Sequence, residues 1–268
     1  MHTPYDGSHP LFRIGLAPLG DEVWLERDER LPAYLAEKAR LLSDQRDAVF
    51  GAEAGSHAAQ AEALDTISAY LNQPIEAEDK APLIAAARQV AEDLVILQKS
   101  PEGWRVTAGC VCFPSSWALS EKLGKALHDV HAPVPDFQEG TRNAAVIERI
   151  FDNLRPEEPV IRWNWSVYGN DTLHHPHLSP PNRFGPNGDK VYLRVERQTL
   201  RKLPVTGAVL FTIGIHLTPL EAIETHPERE RLIDGLITQI GHLQPRQRDY
   251  KGLGTDYQRL LTRLKRTP

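Results

Sequence analysis

Cysteine is scarce: Cys110 and Cys112 are the only two in 268 residues. Two residues apart on a strand, they would point to the same face, a poor geometry for a structural disulfide. Two thiolates also cannot supply an ordinary four-cysteine iron–sulfur cluster, so a redox enzyme built on this chain must draw its electrons from elsewhere. No apolar run is long enough to span a bilayer, and Met-His-Thr-Pro-Tyr-Asp-Gly at the start lacks the basic and apolar segments of a signal peptide. The expectation is a cytoplasmic protein without a membrane partner. Excess positive charge is missing too: the net charge is -5 and the pI is near 6.1, which argues against a nucleic-acid partner. There is no phosphate loop, no Gly-x-Gly-x-x-Gly after a strand and no Gly-x-Ser-x-Gly elbow, which removes the commonest nucleotide and hydrolase readings.

What is present is enough apolar residue, 41%, for a sizeable core. The first thirty residues read as an irregular arm rich in Pro and Gly. Leu31, Tyr34, Leu35, Lys38, Leu41 and Leu42 then mark a helix, Gly51, Gly55 and His57 a linker, and Leu64, Ile67 and Leu71 a second helix. A third follows Pro82. Leu94 to Leu97 and Trp104 to Phe113, joined by Ser-Pro-Glu-Gly, read as a hairpin. Ser115 or Ser116 is expected to cap a helix running to His131, stopped by Pro133 and Pro135. A longer helix is expected from Phe137 to Leu154. Strands follow at 159–167, 190–199 and 205–217, with a long loop from Tyr168 to Asp189, and a helical hairpin closes the chain. Two strands, then helices, then three strands suits an α+β fold: a PAS-like five-stranded antiparallel sheet with helices on one face. N-terminal (about 1–91) and C-terminal (about 219–266) helices would extend it into a single domain over 1–268.

His131, delivered by a helix stop, could hold a metal or a haem iron, or merely cap the helix C-terminus, where a cation is favourable. His128 shares its helix face and could join it on zinc, though a surface histidine is the plainer role. His174, His175 and His177 crowd a proline-rich loop and read as a solvated segment or a lid. Cys112 could be a thiolate ligand, but a small core residue fits better, since only Lys122 and the helix start lie near to activate it. On 159–167, Trp163 and Trp165 point one way, Arg162 and Asn164 the other; the tryptophans are core or a surface for a cation. Arg194, Glu196 and Gln198 share a face too polar for a simple core.

Three segments carry a resemblance: Cys112 to Pro135, Arg-Trp-Asn-Trp-Ser-Val at 162–167, and Arg-Val-Glu-Arg-Gln-Thr-Leu-Arg-Lys-Leu-Pro-Val-Thr-Gly-Ala-Val-Leu-Phe-Thr-Ile at 194–213. The chain resembles the haem-dependent oxidative N-demethylase alpha-subunit family. That resemblance implies haem b, O2 and a small secondary amine such as dimethylamine, cleaved to a primary amine and formaldehyde. It further implies NADPH, FMN and iron–sulfur cofactors supplied by partner reductase subunits. His131 becomes the expected axial iron ligand. Arg194, Arg197 and Lys122 become cofactor-binding candidates, Arg194 or Arg197 for a propionate, and Glu196 and Trp163 the candidates for holding the amine. One departure stands out. Where the family strand ends Phe-Thr-Ile-Arg-Thr-Tyr, this chain has Phe211-Thr212-Ile213-Gly214-Ile215-His216, which removes an arginine and makes His216 a candidate pocket residue. The rival readings are a haem-based PAS gas or redox sensor, and a haem-free zinc-binding or structural relative.

Overall fold

The computed structural model describes residues 1–77, 81–178, 183–186 and 188–266. A single 3-10 turn at Pro4–Asp6 and a two-residue strand β1 (Ala17–Pro18) precede helices α1 (Leu31–Asp44) and α2 (Arg46–Val49). Strand β2 (Phe50–Ala52) and helices α3 (His57–Leu71) and α4 (Pro82–Ala87) lead to the hairpin of β3 (Asp93–Ser100) and β4 (Gly103–Cys110). Helices α5 (Leu127–His131) and α6 (Arg142–Asn153) cross to β5 (Val160–Tyr168), β6 (Tyr192–Lys202) and β7 (Val209–Pro219). Four helices close the chain: α7 (Leu220–Glu224), α8 (Arg229–Gly241), α9 (Pro245–Tyr250) and α10 (Tyr257–Lys265). Among the described residues no helix is long and apolar enough to cross a membrane.

Among the described residues seven strands form one antiparallel sheet in the order β1-β5-β6-β7-β3-β4-β2. The five expected strands lie together at its centre. The expectation of a five-stranded sheet is corrected by two short edge strands: Ala17–Pro18 pairs with Val160 and Ile161, and Phe50–Ala52 pairs with Ala108 to Cys110. Both fall where Pro and Gly made the sequence read as arm and linker. Pro is tolerated on an edge because its missing N–H faces away from the ladder.

Helices also pack on both faces, not one. Leu94 and Ile96 of β3 meet α3 and α4 through Ala63, Ile67, Leu83 and Ala87, whereas the alternate residues Val95 and Leu97 meet Leu127, Phe137, Ile147 and Phe151 from the α5–α6 region. Farther along the sheet, Trp165, Val167, Leu193 and Val195 pack against Leu232, Leu236, Leu260 and Leu264 of α8 and α10.

The expected helix from Ser115 to His131 is broken. A single 3-10 turn occupies Leu119–Glu121 and α5 begins only at Leu127. Ser116 sits at φ 64° and Gly124 at φ 77°, so the backbone turns left-handed twice where a helix would have to stay right-handed. Ser115 is no cap; its Oγ accepts from Arg194 Nε at 2.8 Å. Likewise Asp136 at φ 69° and Gly140 at φ 79° delay the next helix to Arg142, where Thr141 Oγ1 caps it by accepting from Ala144 N.

Candidate functional site

β6 lies between β5 and β7 and is buried along nearly its whole length, yet Arg194, Glu196, Arg197, Gln198 and Thr199 are all buried there. Buried polar groups on a central strand demand partners, and pleat parity divides them into two sets.

On one face, Arg162, Asn164 and Ser166 of β5 stand opposite Gln198, Glu196 and Arg194 of β6, which in turn face Ile213, Ile215 and Leu217 of β7. Arg162 donates to Gln198 Oε1 at 2.7 Å and, through Nε, to Ile14 O at 3.0 Å; Gln198 Nε2 donates to Glu196 Oε2 at 2.5 Å. Lys251, just past α9, reaches the same strip and donates to Asn164 Oδ1 at 3.0 Å, Trp165 O at 2.8 Å and Ser166 Oγ at 3.2 Å.

Burial depresses the Lys251 ammonium to about 8, opposed by the negative charge of Glu196. Burial, with Glu196 adding to it, pushes the Tyr250 hydroxyl up to about 12. Burial also lowers Arg162. Nevertheless Arg162 and Lys251 keep accessible surface and Tyr250 is 38% exposed. Groups desolvated by surrounding protein but still reached by solvent mark a candidate recess, floored by β5, β6 and β7 and flanked by α9 and the N-terminal arm. Phe12 of the arm packs edge-on against Tyr250 with ring centroids 5.8 Å apart.

His131 is the last residue of α5, and its Nδ1 lies 2.8 Å from Leu127 O. A carbonyl only accepts, so Nδ1 carries the proton and Nε2 is the bare nitrogen of the neutral ring. Burial holds His131 below its ordinary pKa, outweighing the Leu127 bond, and the positive charges of Arg162 and Lys122 act in the same direction. The ring is therefore neutral and within electrostatic reach of the strip.

The other expected site residues are placed unevenly. Glu196 lies in the strip. Trp163 and Arg197 lie on the opposite face, so Trp163 and Glu196 are not brought together. Arg197 donates to Trp24 O at 2.9 Å and also to Val23 O, and its guanidinium rests 5.9 Å from the Trp163 ring centre. Arg194 shares the face of Glu196, but all of its nitrogens are engaged, by Ser115 Oγ and by the carbonyls of Phe113, Pro114, Thr172 and Leu173. It clamps two loops together. Lys122 donates to Val130 O at 2.8 Å and lines an outward-opening groove of about 620 Å³ with Glu121, Lys125 and Asp129.

Cys112 is fully buried, and hydrogen bonding to Cys110, then burial, drives its thiol far above the ordinary range, which disfavours a thiolate. Asp93 fixes its backbone by accepting from Cys112 N at 2.9 Å and Phe113 N at 2.8 Å. The histidine loop, read as solvated, is partly docked. His174 Nδ1 donates to Cys112 O at 2.8 Å and the His175 ring stacks 4.6 Å from Tyr168, while His177 is exposed. Residues 179–182 and 187 of that loop lie outside the described residues.

Lys251 and Tyr250 were missed by the sequence reading. Their partners are more than eighty residues away, and the local Asp-Tyr-Lys-Gly stretch has no motif to flag them.

The seven-stranded antiparallel sheet, covered by helices on both faces, makes this an α+β protein. Residues 71–261 match the family model described as haem-dependent oxidative N-demethylase, alpha subunit-like. The match spans most of the chain, which belongs to that family.

Proposed function

We propose that the chain is the haem-binding oxygenase component of an oxidative N-demethylase acting on a small secondary amine, with its site in the recess floored by Arg162, Glu196 and Gln198. The observation that carries this reading is the His131 ring, kept neutral by burial, with Nδ1 tied to Leu127 O so that Nε2 is free to bind iron. The donor set would suit a haem b: the fixed His131 imidazole would hold the iron, and the cations Arg162 and Lys251 would neutralise propionates. Bound haem would supply O2 activation and oxidation at the methyl carbon. The chain's own residues have the remaining tasks. Glu196, held by Gln198 Nε2, would accept hydrogen bonds from the amine nitrogen and orient it. Ile213 and Ile215, on the same face, would exclude water from the methyl groups. Tyr250 and Lys251 would close the open side.

In this proposal the whole of 1–268 works as one haem-binding domain with a PAS-like central sheet. Its electrons would come from NADPH through FMN and iron–sulfur partner subunits.

The test is a haemin titration of the purified chain. A Soret band with one haem per chain in the wild type, lost or shifted in His131→Ala, is expected. No Soret band after reconstitution would overturn haem binding, and an unchanged spectrum in His131→Ala would overturn the ligand. Formaldehyde release from dimethylamine with a reductase is the expected activity, and haem binding without turnover would favour a sensor.

A further inference from the structure

On the opposite face of the sheet, three residues remote in sequence converge: His2 on the N-terminal arm, Glu26 before α1, and His216 near the end of β7. His2 Nε2 lies 2.8 Å from Glu26 Oε1, and His216 Nε2 lies 2.8 Å from Glu26 Oε2. The two imidazoles meet edge-on with centroids 4.4 Å apart, and one ligand atom from each of the three residues lies within 4.8 Å of the others. We propose that His2, Glu26 and His216 form a binding site for a divalent first-row transition ion such as zinc, and that the ion pins the N-terminal arm to β7.

A second observation points the same way. His216 is only 8% exposed, and its Nε2 is buried without an aligned hydrogen-bond partner, because the short contact to Glu26 Oε2 is off the bonding direction. A buried ring N–H whose acceptor is misaligned is costly, and moving that proton to Nδ1 would free the Nε2 lone pair for an ion. Two imidazoles and one carboxylate suit zinc or iron(II), and three protein donors leave a position open to water or another oxygen ligand. The surroundings hold the donors in place. Glu26 N donates to Glu92 Oε1 at 2.9 Å, and the His2 ring leans on Trp163 at 4.6 Å between centroids.

One cation does compete. Arg30 Nη1 lies 2.6 Å from His216 Nδ1, and because a guanidinium can only donate, Nδ1 accepts there. Metal on Nε2 needs the proton on Nδ1, so Arg30 must release that contact. It can do so while keeping Asp28, to which its Nε donates at 3.0 Å. Arg30 is thus a built-in competitor of the ion. The arm pinned by His2 is the same one whose Ile14 and Arg13 carbonyls accept from Arg162, which links this site to the arm over the recess.

The experiment is a Zn2+ titration of the tag-free, chelator-stripped full chain by calorimetry, with limited proteolysis of the arm in parallel. One Zn2+ per chain is expected, weakened at least about tenfold in each of His2→Ala, Glu26→Gln and His216→Ala. Arg30→Gln is expected to bind more tightly, and Zn2+ should slow cleavage of the arm in the wild type but not in His2→Ala. Should His216→Ala fail to fold, as judged by circular dichroism, His2→Ala and Glu26→Gln decide. Wild-type affinity in those two variants, or no stoichiometric binding by the wild type, overturns the site. Haem content plays no part in these readouts.

Discussion

The two faces of β5 and β6 are built from the same strands, alternate residue by alternate residue, and put their polar groups to different uses. On the recess face Arg162 and Lys251 divide their bonds between side chains (Gln198, Asn164, Ser166) and backbone carbonyls (Arg13, Ile14, Trp165), and stay partly open to solvent. On the other face Arg197 is fastened to the carbonyls of Val23 and Trp24 and lies beside Trp163. Arg194 shows that facing the recess is not sufficient, because it is only 1% exposed and its guanidinium is held by five hydrogen bonds within the protein. A desolvated charge on this face marks a candidate ligand site only where it keeps surface that solvent can reach, as Arg162 and Lys251 do.

The largest expected effect tests Arg194 as a clamp. Arg194→Leu leaves a hydroxyl and four carbonyls without their donor and should cost about 3 kcal/mol or more in urea unfolding. Arg162→Leu should cost clearly less while weakening haem uptake. Equal stability losses would erase the distinction between the two arginines. Next, Glu196→Gln should lower kcat/KM for a small secondary amine roughly 10- to 100-fold, the worth of a charged hydrogen bond. Haem content should hold, and unchanged kinetics would remove Glu196 from amine binding.

A smaller effect concerns pH. Lys251 is depressed to about 8 by burial, below its ordinary value of 10.5, so between those values the unfolded chain binds more protons than the folded one. Its burial therefore costs stability below pH 8, and that cost disappears as pH rises towards 10.5. The stability difference between wild type and Lys251→Met should shift in favour of the wild type by about 1–2 kcal/mol from pH 7.5 to 10. A flat difference would mean the ammonium is not desolvated. The smallest effect belongs to the far face: Trp163→Phe should cost about 1 kcal/mol of stability and leave the amine KM unchanged. A KM change matching that of Glu196→Gln would show that the faces are not functionally separate.

Much of this was legible in the sequence. Three of the five long strands are marked by alternation and the other two by an apolar run and a Ser-Pro-Glu-Gly turn, and parity already puts Arg162 and Asn164 on one side and Trp163 and Trp165 on the other. The same parity separates Trp163 from Glu196 and Arg197 from Arg194, once the register Trp163 to Arg197 is known. Register is a long-range property, which the spacing within one strand does not carry. β1 and β2 were hidden for the same reason: two or three residues have no periodicity, and only their partners define them. The broken helix after Pro114 was hidden because its cap signals are local. Asp93, the left-handed Ser116 and the Arg194 clamp, which hold that segment in another conformation, are tertiary. His2, Glu26 and His216 combine residues from three remote segments, and no spacing rule joins them.

The pairing of β3 with β7 sets the order in which the molecule can be made. Asp93 to Leu97 find their partners only at Val209 to Ile213, more than a hundred residues later. Until β7 leaves the ribosome, the β3–β4 hairpin presents an unpaired edge, and the recess has no complete floor. A nascent chain stopped before Val209 should therefore be captured by chaperones or aggregate. On the proposed function, haem loading would follow the synthesis of β7 rather than precede it.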